Sequence, residues 1–155
     1  METNDALEVK FMNMTHDSEN VPKYATLNDA CLDLRAHLDD ATITIKPGET
    51  VKIGTRLKVA VPVGYVMMMF VRSSIGIKKH LCLANGTGII DAGYRDEVIM
   101  ALHNFGKEPI EINDGDRVCQ FMIIPRPILN LVEETDPNKF NQGNRGGGIG
   151  STGSY

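Results

Sequence analysis

Near the end of the 155-residue chain the sequence reads Arg-Gly-Gly-Gly-Ile-Gly-Ser-Thr-Gly, Arg145 to Gly153. An arginine fork, the hydroxyls of Ser151 and Thr152, and glycines whose bare amides approach a ligand closely are the parts of a phosphate clamp. The same composition also suits a disordered, solubilising tail. Gly148 to Gly153 spells G-x-G-x-x-G, but a dinucleotide site needs a strand before it, and a helix and an acidic residue after it, and the sequence stops first. No Gly-Lys-Ser/Thr completes a Walker loop either.

Two further stretches carry chemistry. Arg72-Ser73-Ser74 follows an apolar run and precedes Ile75-Gly76-Ile77-Lys78-Lys79, so an arginine and two hydroxyls stand beside exposed amides: an anion site in outline, or a surface turn. Asn85 to Val98, N-G-T-G-I-I-D-A-G-Y-R-D-E-V, reads as a hairpin entered along Leu81–Asn85, with Asp91 just before a turn at Ala92-Gly93. Its backbone could read a planar base by its edge and Tyr94 offers a flat face to a sugar, while an ordinary hairpin with a turn aspartate explains the same residues. His16, His37, His80 and His103 have no metal-ligand spacing and read as structural or surface residues.

These residues need a scaffold, and the sequence predicts one made of strands. Thr50–Val59 alternates Val51, Ile53, Leu57 and Val59 with Lys52, Arg56 and Lys58, the period of a strand buried on one face. Leu7–Met12, Thr42–Ile45, Tyr65–Val71, Glu97–Asn104, Arg117–Ile124 and Ile128–Val132 are further candidates, separated by turns such as Lys46-Pro47-Gly48 and Asn113-Asp114-Gly115-Asp116. Many short strands point to an all-β barrel or sandwich. The best helical candidate is Ser73–Lys79, with Ser73 or Ser74 as its cap. From Asp136 onward strand signals stop, so the expected organisation is a β-barrel domain over 1–135 and a flexible glycine-rich arm over 136–155.

Composition narrows the class. A hydrophobic share of 42% suffices for one core, and a formal charge of -4 argues against an extended nucleic-acid footprint. Cys31, Cys82 and Cys119 are odd in number and widely spaced, which suggests neither disulfides nor a zinc knuckle. With no signal-peptide pattern and no membrane-length apolar run, a cytoplasmic protein, or one entering the nucleus passively, is expected.

The order of the pieces then matters more than any one of them. Ala30-Cys31-Leu32-Asp33-Leu34-Arg35-Ala36, Arg72-Ser73-Ser74, Gly88-Ile89-Ile90-Asp91-Ala92-Gly93-Tyr94-Arg95, Gly115-Asp116-Arg117-Val118-Cys119-Gln120 and Arg145 to Gly153 follow one another along the chain. In this order they resemble the five motifs of the trimeric all-β deoxyuridine triphosphatases. The resemblance implies a distorted jelly-roll or β-clip barrel with one short helix, a homotrimer with shared active sites, and a mobile C-terminal arm that closes over a neighbour's nucleotide. It also implies hydrolysis of dUTP to dUMP and pyrophosphate by water attack on the α-phosphorus, lowering dUTP and supplying dUMP for thymidylate synthesis.

The resemblance gives each residue a role. Asp91 would hold and deprotonate the water, Tyr94 would exclude a 2′-hydroxyl, and Asn85 with the backbone near Gly88 and Ile90 would read uracil. Arg72, Ser73, Ser74 and Gln120 would bind the phosphate chain, Arg145, Gly150, Ser151 and Thr152 would hold its γ end, and Ile149 would cover the base. Mg2+ would be carried by the phosphates, with Asp33 reaching only its waters. Phenylalanine is usual where Ile149 stands, and Asp-Tyr-Arg-Gly is commoner than the Gly93-Tyr94-Arg95-Asp96 found here. The second departure leans toward the related dCTP deaminases, which need an acid–base glutamate; Glu97 is the only glutamate near the hairpin and its strand-like run reads as structural, and a regulator that binds another protein through its arm is the other alternative.

Overall fold

The computed structural model describes residues 6–144 and Gly146. Ten strands fall into three antiparallel sheets. β1 (Lys10–Asn13), β4 (Thr50–Ala60), β8 (Glu97–Asn104) and β6 (Leu81–Leu83) form one, in the order β1-β4-β8-β6. β2 (Leu32–Arg35), β10 (Arg117–Pro125), β5 (Tyr65–Val71) and β7 (Gly88–Ile90) form the second, in the order β2-β10-β5-β7, and β3 (Thr42–Ile45) pairs with β9 (Ile110–Asn113). Among the described residues no sheet closes on itself, so the β-clip is built from open sheets around one core rather than a closed barrel.

That core explains the alternation in the sequence. Ile53, Thr55, Leu57 and Val59 of β4 are buried while their neighbours are not, and they meet Met67 and Met69 of β5, Val98, Met100 and Leu102 of β8, and Ile45 and Ile112 of the small sheet. Buried polar groups stitch the layers. Asn104 donates to the carbonyls of Ile45 and Glu108 at 2.9 and 2.8 Å and accepts from Gly106 N–H at 2.9 Å, and the Thr55 hydroxyl donates to Val98 O at 2.8 Å.

Several expectations are met and several need correction. β3, β5, β8 and the helix α1 (Ser73–Lys79) match their predicted spans. Arg72, not a serine, occupies the N-cap of α1, and no side chain caps that end. Ile128–Val132 is not a strand: the last backbone bond of this region runs from Arg126 N–H to Gly64 O at 2.7 Å, and beyond it Ile128, Leu129, Leu131 and Val132 are exposed. Residues beyond Asp136 are not uniformly irregular, because Asp136 caps the short helix α2 (Pro137–Phe140), with Pro137 at a first-turn position where its missing N–H costs nothing.

The expected hairpin is also resolved differently. β6 pairs with β8 and β7 with β5, so the strands on either side of Asn85 enter different sheets and do not pair with each other. A tight turn, Gly86 N–H to Leu83 O at 2.8 Å with Gly86 at φ 73°, carries the chain across. Local alternation does not reveal such a crossing, because each half is a good strand wherever its partner lies.

Candidate active site

The second sheet gathers residues of four of the five motifs, the first on β2, the second just after β5, the third beginning on β7 and the fourth on β10. Asp33 on β2 lies directly opposite Gln120 on β10, which in turn lies opposite Phe70 on β5; Val71 ends β5 and Arg72 follows it. Asp33, Arg72, Ser73 and Gln120 line a cleft of about 300 Å³ together with Ala25, Asp29, Ala30 and Cys31. Burial alone raises the Cys31 thiol pKa first, with the Asp33 charge adding to it, so the thiol beside this cleft stays protonated. Ser74 is exposed on the first turn of α1, next to the cleft but not lining it.

Within the cleft the charges are arranged. Asp33 Oδ1 accepts from Arg72 Nε at 2.9 Å and Asp33 Oδ2 from Arg117 Nη1 at 3.0 Å, with the carboxylate only 18% exposed. Arg72 Nη1 also donates to the Arg117 carbonyl at 3.3 Å. With Nε and Nη1 committed inside the protein, Nη2 and the serine hydroxyls are left for an anion entering the cleft. An arginine held at its Nε end is a planar fork whose orientation is fixed before the ligand arrives.

The turn of the third motif follows β7 at the other end of this sheet. Asp91 is exposed at a turn closed by Tyr94 N–H to Asp91 O at 3.0 Å, and Arg95 donates to the carbonyls of Ala92 and Tyr94. The Tyr94 hydroxyl donates to Glu97 O at 2.7 Å, which fixes the ring over the turn. Ile90, just before Asp91, is opposite Met67, five steps along β5 from Arg72; at about 3.3 Å per residue that is roughly 16 Å. In one chain, therefore, Asp91 and Arg72 sit at opposite ends of β5.

β7 supplies the expected base-reading residues in a particular way. Gly88 is buried, and a Cβ there would stand 2.8 Å from Met69 Cε and 3.0 Å from Met69 Cβ, so any side chain at this position would crowd Met69 on β5. Ile90 turns its side chain into the core and pairs with Met67, while Asn85 is exposed in the turn. Arg145, Ile149, Gly150, Ser151 and Thr152 lie outside the described residues.

The dUTPase family model matches residues 17–153, from before β2 to the end of the glycine-rich segment. The chain belongs to the dUTPase family. A deoxyuridine 5'-triphosphate nucleotidohydrolase of Caulobacter vibrioides is 42% identical over 134 residues, 86% of this chain and 85% of that one. One from Desulfitobacterium hafniense is 39% identical over 152 residues, covering 96% and 98%. A variant dUTPase of phage phi11 of S. aureus, described as showing the coordination of a structural Mg(II) ion, superposes with a TM-score of 0.69 at 26% identity, covering 83% of this chain and 99% of that one.

Two residues of this dUTPase-family chain read differently once packed. Glu97 Oε1 accepts the backbone N–H of Arg56 at 2.7 Å and fills the space a Cβ at Gly54 would need. Arg56 has φ 53°, inside a break in the β4–β8 register between Gly54 and Lys58, so the Glu97 carboxylate is engaged in holding a bulge together. Arg117 is the site residue that sequence reasoning passed over. The sequence carried no clear signal for it, because β10 reads R-V-C-Q-F-M-I-I-P and its apolar residues do not alternate.

Proposed function

We propose that this chain carries out the reaction of its family, hydrolysis of dUTP to dUMP and pyrophosphate by water attack on the α-phosphorus, in a site that more than one copy completes. The observation that carries the reading is the grouping of Asp33, Arg72, Ser73 and Gln120 around one cleft, which brings three family motifs onto one sheet. The phosphate chain would lie there, with Ser74 at its edge.

Asp91 and Tyr94 would serve the cleft of a neighbouring subunit, because they lie too far along β5 to serve their own. An assembly of copies also accounts for Ile128, Leu129, Leu131 and Val132, apolar side chains exposed on a segment that leaves its own sheets. A homotrimer is the closed ring that a head-to-tail contact of this kind makes in the family. Asp91, accepting a proton from water, is a general base worth about 10²–10⁴ in rate. The Tyr94 ring, locked by its hydroxyl, would pack against the deoxyribose and refuse a 2′-hydroxyl, and Asn85 with the β7 backbone at Gly88 and Ile90 would read uracil. The arm over 136–155 would then cover the bound nucleotide, Arg145, Gly150, Ser151 and Thr152 on the γ-phosphate and Ile149 over the base.

The donor set fits Mg2+ carried in by the phosphates. Among the described residues no group of three or more His, Cys, Asp or Glu could enclose a metal, and both Asp33 oxygens already accept from arginines, so Asp33 would meet the ion only through water. When bound, the ion supplies charge neutralisation on the phosphates. Among the described residues no helix is long and apolar enough to cross a membrane, and we place the enzyme in the cytoplasm or nucleus, where its nucleotide is made and used.

The Glu97 contacts favour hydrolysis over deamination, since that carboxylate is engaged in the β4 bulge. The deciding experiment incubates the protein with dUTP, dCTP and UTP in the presence of Mg2+ and measures pyrophosphate and ammonia. Pyrophosphate from dUTP, with little from UTP and no ammonia from dCTP, is expected; ammonia from dCTP overturns the reading.

A further inference from the structure

The strand β10 changes face where it enters the site. Opposite β2, Gln120 pairs with Asp33 and Cys119 with Leu34, but the next residue of β2, Arg35, pairs with Arg117 and not with Val118. One residue of β10 is thus extra. Its mark is two consecutive buried side chains, Val118 and Cys119, both 0% exposed, in a strand whose faces should alternate. Without the extra residue, counting back from Gln120 would put Arg117 on the core face. The bulge instead places it on the same face as Asp33 and Gln120, where its Nη1 donates to Asp33 Oδ2 at 3.0 Å.

We infer that Arg117, re-aimed by this bulge, is a positioning residue for the phosphate site: it fixes the Asp33 carboxylate, and Asp33 in turn fixes the guanidinium of Arg72. The route is closed by three contacts among these residues: Arg117 Nη1 to Asp33 Oδ2, Arg72 Nε to Asp33 Oδ1 at 2.9 Å, and Arg72 Nη1 to the Arg117 carbonyl at 3.3 Å. Asp33 accepts from Arg72 through Nε alone, which leaves Nη2 for a phosphate. Arg117 itself lies outside the ring of residues lining the phosphate cleft and faces a second, smaller cleft with Arg35, Lys23 and Glu19. Its effect on substrate therefore runs through Asp33 and Arg72. The inference rests on the reading that Arg72 binds the phosphate chain.

A double-mutant cycle in the full-length protein tests it, with kcat and KM for dUTP measured for Arg72→Ala, Arg117→Ala and the pair, and folding followed by thermal melting. Loss of an outer partner that orients a binding group typically costs about 10-fold or more in activity. We expect Arg117→Ala to lower kcat/KM by about that factor, to add nothing further in the Arg72→Ala background, and to be largely rescued by Arg117→Lys, which can keep the single bond to Asp33 Oδ2. Losses that multiply in the double variant, no loss in Arg117→Ala, or a failure of the lysine to rescue in a protein that melts normally would overturn it. An Arg72→Ala variant with unchanged kcat/KM would overturn the phosphate reading itself, and the relay with it, whereas multiplying losses would overturn the relay alone.

Discussion

Glu97 and Arg56 meet across β8 and β4 through a carboxylate and a backbone amide, 2.7 Å apart, at a point where Arg56 takes the left-handed conformation with φ 53°. A side chain rarely adopts that region unless its surroundings hold it there. Glu97→Ala should leave the Arg56 amide without its partner and cost about 1–2 kcal/mol of stability. The melting temperature should fall while kcat for dUTP changes little. A variant that melts normally but no longer turns over dUTP would place Glu97 in the chemistry instead.

Asp91→Asn keeps the shape of the exposed turn and removes the group that accepts a proton from water. Turnover should fall by about 10²-fold or more, with binding of a non-hydrolysable dUTP analogue retained. Steady-state kinetics alongside calorimetry separates the two quantities. Near-normal turnover would mean that Asp91 is not the base.

Tyr94 lends itself to a paired test, because its ring and its hydroxyl do different things. Tyr94→Ala should raise kcat/KM for UTP relative to dUTP by opening space at the sugar. Tyr94→Phe keeps the ring and loses only the 2.7 Å bond to Glu97 O, so it should keep the discrimination and lose about 1 kcal/mol of stability. Equal ratios in all three proteins would put sugar selection elsewhere.

Truncation after Gln142 removes the clamp residues but none of the described core. The shortened chain should fold and assemble as before, yet lose most activity, since charge-assisted bonds from Arg145, Ser151 and Thr152 are worth about 1.5–3 kcal/mol each. Ile149→Phe should act in the other direction and lower KM for dUTP, a stacking ring adding about 0.5–1.5 kcal/mol. Amide exchange of the arm with and without a non-hydrolysable analogue gives an independent reading: protection on binding is expected, and equal exchange in both states with full activity after truncation would return the segment to a solubilising tail.

What the sequence determined by itself was the inventory and the local geometry. Period-2 alternation located β4, because a strand buried on one face must write its burial into every second residue, and runs of β-branched and apolar residues between turn signals located β3, β5 and β8. The turn at Asp91 was legible from Ala92-Gly93, and the ordered motifs pointed to the family that the comparisons then showed. Among the shorter strands, β6 and β7 were visible only as the arms of a supposed hairpin, and β2 and β9 were too short to stand out as strands.

The tertiary structure alone decided which strands pair, and with that which side chains meet. Ile128–Val132 has strand composition but pairs with no strand among the described residues, and it runs exposed. The strands around Asn85 look like a hairpin and enter two sheets, because pairing depends on partners distant in sequence. Glu97 stood in a strand-like run that reads as structural, but only packing shows the β4 bulge its carboxylate holds, and Arg117 had no role of its own until one extra residue in β10 turned it to face Asp33. A bulge inverts the face of the residues beyond it, and its place is fixed by the register of two strands that lie 84 positions apart at Asp33 and Arg117.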